Sequence, residues 1–288
     1  MSKYLKLLRV KHYIKNILLF VPLVFSGELF NISKFMTVLV GLLCFSFISS
    51  VVYIINDIRD VEQDRKHETK CKRPIASKEI SINHAYIIAI FLFSLSIGIN
   101  ILLSNSSSLF LILFYFSINV LYSLGLKNIV LFDIFIVTVG FVLRIFYGAL
   151  IIDVEVSNWL YLTIMSMSLY LSLGKRRNEM LKYSKDETRK VLKNYTFEFL
   201  DKSMYSFFGI SIVFYSLWAL ENPRSDYLLL SIPLIIIIFM KYIYTLELDS
   251  SGDPVEVILG DLSLIFIITL YALLILSALY FVDILKMM

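Results

Sequence analysis

The chain has 288 residues, 58% of them hydrophobic and only 17% charged, with a net charge of +4 and a mean hydropathy of +0.79. That composition excludes a soluble globular domain, and with it the soluble-enzyme and nucleic-acid-binding classes, and reads as an all-α integral membrane protein. Two cysteines, Cys44 in an apolar run and Cys71 in a basic stretch, make neither a disulfide framework nor a zinc cluster.

The N-terminus places Lys3, Lys6, Arg9, Lys11 and Lys15 ahead of a short apolar stretch. No small-residue cleavage site follows Phe25, and Pro22 interrupts the run, so the segment reads as a retained first helix rather than a signal peptide. Hydropathy then predicts about nine transmembrane helices, near 10–29, 34–56, 81–103, 107–125, 129–151, 157–174, 202–220, 226–246 and 260–285. With the N-terminus cytoplasmic, all but five of the 27 Lys and Arg fall on the inner side; Lys34, Arg224 and Lys286 lie outside and Arg144 and Lys241 within spans. The positive-inside rule therefore orients the chain in the cytoplasmic membrane. No repeat or long linker divides it, which predicts a single transmembrane domain over 1–288. The charge-dense loops near 57–80 and 175–201 then lie together on the cytoplasmic face, over a polar cavity.

At the end of the second span the sequence reads Tyr53-Ile-Ile-Asn56-Asp57-Ile-Arg-Asp60-Val-Glu-Gln-Asp64. Continued as helix, Tyr53, Asn56, Asp57, Asp60 and Asp64 share one face. Three carboxylates at a helix C-terminus repel one another and the helix dipole unless a cation compensates. Magnesium suits such a row, because it takes a few protein oxygens and completes its shell with water and substrate phosphates. Lys66, Lys70, Lys72 and Arg73 follow at once, and a metal beside cations is what a diphosphate requires. A solvated acidic helix end is the alternative.

The pattern Asn56-Asp57-x-x-Asp60-x-x-x-Asp64 resembles the first aspartate-rich motif of the UbiA superfamily of intramembrane transferases, which implies a UbiA-type bundle with Asn56, Asp57, Asp60 and Asp64 holding Mg2+. Three further stretches are similar to its decaprenyl-phosphate phosphoribosyltransferase branch: Arg9-x-x-His12-Tyr13-x-Lys15-Asn16, in which His12 and Tyr13 depart from the pattern; His67-x-Thr69-Lys70-x-x-Arg73-Pro74-Ile75-Ala76; and Gly174-Lys175-Arg176-x-x-Glu179 with Asn194-Tyr195-Thr196. Gly125-Leu126-Lys127 and Val142-Leu143-Arg144 extend the likeness over almost the whole chain. The resemblance implies 5-phosphoribosyl-1-diphosphate as donor and a polyprenyl phosphate as acceptor, within the bilayer and without nucleic acid. Asp57, Asp60 and Arg144 would be catalytic. Arg9, Lys15, Asn16, Tyr53, Lys70, Arg73, Tyr122, Lys127, Arg144, Lys175 and Arg176 would bind substrate.

Basic residues where the sixth span meets the cytoplasm suit two anionic substrates in one site, whereas an aromatic-acceptor prenyltransferase, the competing reading, calls for a second acidic motif there. Asp186 and Glu187 stand instead among Lys185, Arg189 and Lys190, and Lys182 to Lys193 reads as a basic surface helix. Arg144 and Asp133, eleven residues apart in the fifth span, lie on a similar face, at a depth where charge faces a cavity or a partner. Lys241 is a snorkelling or pore-facing charge, while Asp249, Asp253 and Glu256 read as solvated loop. His12, His67 and His84 show neither metal spacing nor a nucleophile partner. A transporter would also explain many spans, but concentration of charge on one face argues against it. Monomer and homo-oligomer both stay open.

Overall fold

The computed structural model describes residues 3–103, 106–182, 190–248 and 252–281, all in helices, turns or irregular connections, with no strand among them. The chain divides into two compact units, Met1–Ile136 with Leu143–Glu155 and Val137–Val142 with Val156–Met288.

The first unit opens with α1 (Lys3–Leu7), a 3-10 stretch Val10–Phe20 and the short α2 (Val21–Phe25). There follow α3 (Ile32–Arg59), α4 (Val61–Lys66), a 3-10 turn Lys70–Lys72, α5 (Ile82–Leu102), α6 (Ser106–Leu124), a second turn Leu126–Asn128, and α7 (Phe132–Ile151), whose residues fall in both units. Helix starts follow local chemistry: the Asn31 side chain accepts from the Lys34 backbone N–H at the head of α3, and Ser81 from His84 at the head of α5. α3 is the central element. Of its most apolar window 61% is buried, against 28% for α5 and α6, which leave most of their apolar surface outward. Its Phe45 and Ile48 are fully buried in one cluster with Leu19 and Tyr147. Gly148 lets α7 meet the 3-10 stretch, since a Cβ there would lie 2.2 Å from the Leu19 carbonyl oxygen.

The second unit holds α8 (Asn158–Lys182), a 3-10 turn Lys190–Asn194, α9 (Phe197–Glu221), α10 (Ser225–Leu228), α11 (Ser231–Glu247), α12 (Pro254–Gly260) and α13 (Leu262–Leu276), ending in a π-helical turn Ser277–Phe281. α8 and α9 pack antiparallel: Ser211 bonds Ser166 at 3.1 Å, and Arg177 at the far end of α8 bonds Asp201 at the near end of α9. Tyr170 is fully buried against the rings of Phe208, Phe239 and Tyr242.

Seven helical stretches among the described residues are long and apolar enough to cross a membrane: Ile32–Arg59, Ile82–Leu102, Ser106–Leu124, Phe132–Ile151, Phe197–Glu221, Ser225–Glu247 and Leu262–Phe281. The chain is thus an all-helical membrane protein, and two of the nine predicted spans depart from the expected form. The first is not one helix: Arg9 takes a left-handed conformation, residues 10–20 are wound as 3-10, and Pro22, which has no N–H to donate, sits in the first turn of α2. The sixth is helical but too polar to qualify, carrying Asn158, Ser166, Ser168, Ser172 and the charges from Lys175 onward. The expected loop over 175–201 begins later than predicted, because α8 runs two turns further, through good helix formers joined by an Arg176–Glu179 pair at i, i+3. Likewise the 57–80 loop contains the end of α3, all of α4 and a 3-10 turn.

Candidate active site: an acidic row matched by cations

The acidic row lies where α3 gives way to α4. Asp60 caps α3, leaving helical geometry at φ −90° and ψ 7°, yet the ladder barely breaks: its N–H reaches the Asn56 carbonyl at 2.9 Å, and the Asp64 N–H reaches the Asp60 carbonyl at 2.8 Å. The row therefore keeps one face across the junction, and each carboxylate meets a cation from another stretch of the first unit. Asp57, 3% exposed, pairs with Arg9 and, at 3.0 Å, with Arg73. The same Arg73 Nη1 bonds Asp64 at 2.7 Å. Lys127 holds both oxygens of Asp60, at 2.8 and 2.6 Å. Asn56 accepts from the Ser123 hydroxyl at 3.2 Å.

Arg9 reaches Asp57 from a strained backbone. Its φ of 51° and ψ of 45° cost a non-glycine residue about 1–2 kcal/mol. Its guanidinium lies 4.6 Å from the centroid of the Tyr53 ring, which joins the row's lower edge; His12 packs tilted on the same ring at 5.6 Å. Lys15, Lys70 and Tyr122 are half-buried in the same unit, on the 3-10 stretch, the Lys70–Lys72 turn and α6.

Beneath the row the polar face of α3 continues for more than two turns, through Ser50 and Ser49 to Ser46. Tyr13 bonds Ser50 at 2.8 Å, Tyr115 bonds Ser49 at 3.3 Å, and Asn16 donates to Ser46 at 2.9 Å. Arg144 closes this layer, donating to Asn16 Oδ1 at 2.8 Å and to the Tyr115 hydroxyl at 3.1 Å, with its guanidinium 5.1 Å from the Phe45 ring. Ser46 and Asn56 are ten residues apart, so this layer sits about 15 Å along the helix from the acidic row. Asp133 is fully buried in the first turn of α7, where a helix N-terminus favours a carboxylate. Sequence alone does not single out Ser46, Ser49, Ser50, Tyr115 or Ser123. The first three serines stand at helical spacing with 53, 56/57, 60 and 64, but that spacing alone does not separate them from other serines in apolar helices, and Tyr115 and Ser123 lie on α6 outside it.

In the second unit Lys175 bonds Asp253 at 2.7 Å, so Asp253, expected in solvated loop, is a partnered residue that also caps α12. Arg176, nearly buried, bonds Glu179 at 2.8 Å. Arg177 reaches Asp201 at 2.5 Å and Glu247 at 3.4 Å. Gly252, at φ +75°, lies against this turn, where a Cβ would come within 3.1 Å of the Lys175 backbone. Lys241 bonds Asp261 at 3.0 Å. With the Ser263 and Thr245 hydroxyls, this lysine holds the Asp261 carboxyl well below the usual carboxylate range. Lys185, Asp186, Glu187, Arg189 and Asp249 lie outside the described residues.

The acidic row suits a divalent cation. Asp57 and Asp64 already converge on a single positively charged nitrogen of Arg73, so both reach one cation between them. Among the described residues no three His, Cys, Asp or Glu side chains converge on one point. Two carboxylates with Asn56 and Asp60 alongside match an ion that draws its remaining ligands from water and phosphate.

The chain is similar over most of its length to several known proteins. A decaprenyl-phosphate phosphoribosyltransferase of Corynebacterium glutamicum is 32% identical over 269 residues, 89% of this chain and 80% of that protein. Its namesake in Mycolicibacterium smegmatis is 31% identical over 278 residues, 90% and 87% of the two chains. The fold is that of a UbiA homolog from Archaeoglobus fulgidus bound to GPP and Mg2+, at a TM-score of 0.72 and 21% identity, covering 96% of this chain and 99% of that one. The model of the UbiA prenyltransferase family matches residues 18–268, nearly the whole length over which α3, its acidic row and the helices around them are laid out, and to that family the chain belongs.

Proposed function

We propose that the protein transfers a 5-phosphoribosyl group from 5-phosphoribosyl-1-diphosphate to a polyprenyl phosphate, with Mg2+, releasing diphosphate and leaving a polyprenyl-phosphoryl-5-phosphoribose. The observation that carries the reading is the acidic row beside Arg9, Arg73 and Lys127, a composite of metal-binding oxygens and phosphate-binding cations. The names of the relatives that align over most of the chain support the choice of donor and acceptor. So does the polar wall below the row: Tyr53, Ser50 with Tyr13, and Ser49 with Tyr115 suit a hydrophilic sugar phosphate better than an apolar chain.

Asn56, Asp57, Asp60 and Asp64 are the residues to hold Mg2+, which when bound would neutralise the leaving diphosphate as a Lewis acid. Arg9, Arg73 and Lys127 bind and orient the diphosphate, with Lys15 and Lys70 as further cations. The C1–O bond to diphosphate breaks with its electron pair leaving on the phosphate oxygen, and an oxygen of the lipid phosphate forms the new bond to C1. That nucleophile is already anionic, so no side chain has to remove a proton. Positioning and electrostatics carry the rate. Tyr53 bonds the sugar, Arg144 fixes the floor through Asn16 and Tyr115, and Lys175 and Arg176 are assigned to phosphate binding in their own unit. The site face is cytoplasmic.

A prenyl-diphosphate donor is the second reading, favoured by the GPP and DMAPP bound in two archaeal structures of this fold. Both are tested by supplying purified protein with labelled 5-phosphoribosyl-1-diphosphate and decaprenyl phosphate, or with geranyl diphosphate and an aromatic acid. Magnesium-dependent labelling of lipid only in the first mixture, lowered about 100-fold or more in Asp60→Ala, is the expected result. Product only in the second mixture would replace the phosphoribosyl donor.

A further inference from the structure

In direct contacts the three carboxylates of the row are balanced by three cations, Arg9, Arg73 and Lys127, drawn from three separate stretches of chain. Arg73 and Lys127 are 26% and 19% exposed, so a ligand can reach them. The balance has a consequence for binding. A divalent cation arriving alone must take Asp60 from Lys127, or Asp57 and Asp64 from Arg73, and it leaves the displaced side chain as a like charge beside the metal. A diphosphate arriving alone draws the same cations away and leaves bare carboxylates facing phosphate. When both arrive, every displaced cation finds a phosphate oxygen and every freed carboxylate finds the metal, so no charge in this half-buried site loses its partner.

We propose that Arg73 and Lys127, besides contacting the diphosphate, make metal and diphosphate bind as one unit: the ion pairs hold the acidic row closed to either alone and exchange partners when both enter together. The inference rests on the reading that the row receives a metal-bound diphosphate, and is independent of whether a sugar or a prenyl group is attached to it. Thermodynamic linkage then requires each ligand to raise the affinity for the other by the same factor.

The test is equilibrium dialysis of the full chain in nanodiscs against radioactive manganese and radiolabelled inorganic diphosphate, singly and together, at matched free concentrations. Wild-type protein should bind each at least about tenfold more tightly when the other is present. Lys127→Met should bind manganese alone about tenfold more tightly than wild type and lose most of the gain from diphosphate, while Lys127→Arg restores the coupling. A merely structural lysine would not shift manganese affinity upward. Equal binding of manganese with and without diphosphate in the wild type overturns the proposal without recourse to any variant. So does an unchanged manganese affinity in a Lys127→Met protein whose elution and melting match the wild type. Binding of neither ligand in any combination overturns the metal-diphosphate reading itself and the proposal with it. Coupled binding without phosphoribosyl transfer leaves the proposal standing and removes only the donor assignment.

Discussion

Arg144 is a guanidinium almost fully buried and bonded to Asn16 and Tyr115 while lying over two aromatic rings. A lysine offers one point charge where two diverging N–H directions are used. Arg144→Lys should therefore lower stability by about 2 kcal/mol, read as a fall in Tm in detergent, by leaving at least one of those buried acceptors unbonded. Sequence alone marks Arg144 and the row Asn56 to Asp64, because charge in an apolar run is rare enough to stand out. It does not mark Ser46, Ser49 or Tyr115, because serine and tyrosine are ordinary in membrane helices and acquire meaning only through the partner each one meets. Nor does sequence show which carboxylates Arg9, Arg73 and Lys127 answer, with Asp57 shared by the two arginines, since that depends on how three separate stretches return to the end of α3.

Among the elements, the 3-10 stretch and α7 meet backbone to backbone at Gly148 and Leu19. Gly148→Ala forces a methyl against the Leu19 carbonyl, with no flexible side chain available to yield, and should cost about 1–3 kcal/mol in a thermal or denaturant melt. The head of α13 offers a pH-dependent case. Asp261 accepts from the backbone N–H of Ser263 and Leu264 at 3.0 and 3.1 Å, and its folded-state carboxyl lies below the ordinary range. A depressed pKa stabilises the fold at pH above the unfolded carboxylate value, and the benefit is lost as pH falls through the folded one. Asp261→Ala should accordingly melt lower by the worth of a helix cap, about 1 kcal/mol at neutral pH, with the gap to wild type closing under strong acid. Most helix positions were legible from hydropathy, because apolar runs of about twenty residues have few other solutions. The ends were not: α8 runs past its last apolar residue on helix propensity and an i, i+3 ion pair, neither of which registers in a hydropathy window.

For the whole molecule, the orientation predicted from Lys and Arg placement can be read from the native cysteines. Cys44 is fully buried and Cys71 is half-exposed in the basic segment after α4, so a membrane-impermeant maleimide has one reachable target. Labelling in inside-out but not right-side-out vesicles, abolished in Cys71→Ser, is the expected outcome; the reverse pattern would invert the topology. The count of spans turns on the shape of the first segment. A 3-10 helix rises about 2.0 Å per residue against about 1.5 Å for α. Val10–Phe20 and α2 together are sixteen residues, and their rises add to about 30 Å, the thickness of a hydrocarbon core, where an α-helix would use about twenty. The segment is thus stretched rather than short. Because i to i+3 bonds hold a backbone less well than an α ladder, the segment relies on its packing against α3 and α7, both of which are synthesised after it.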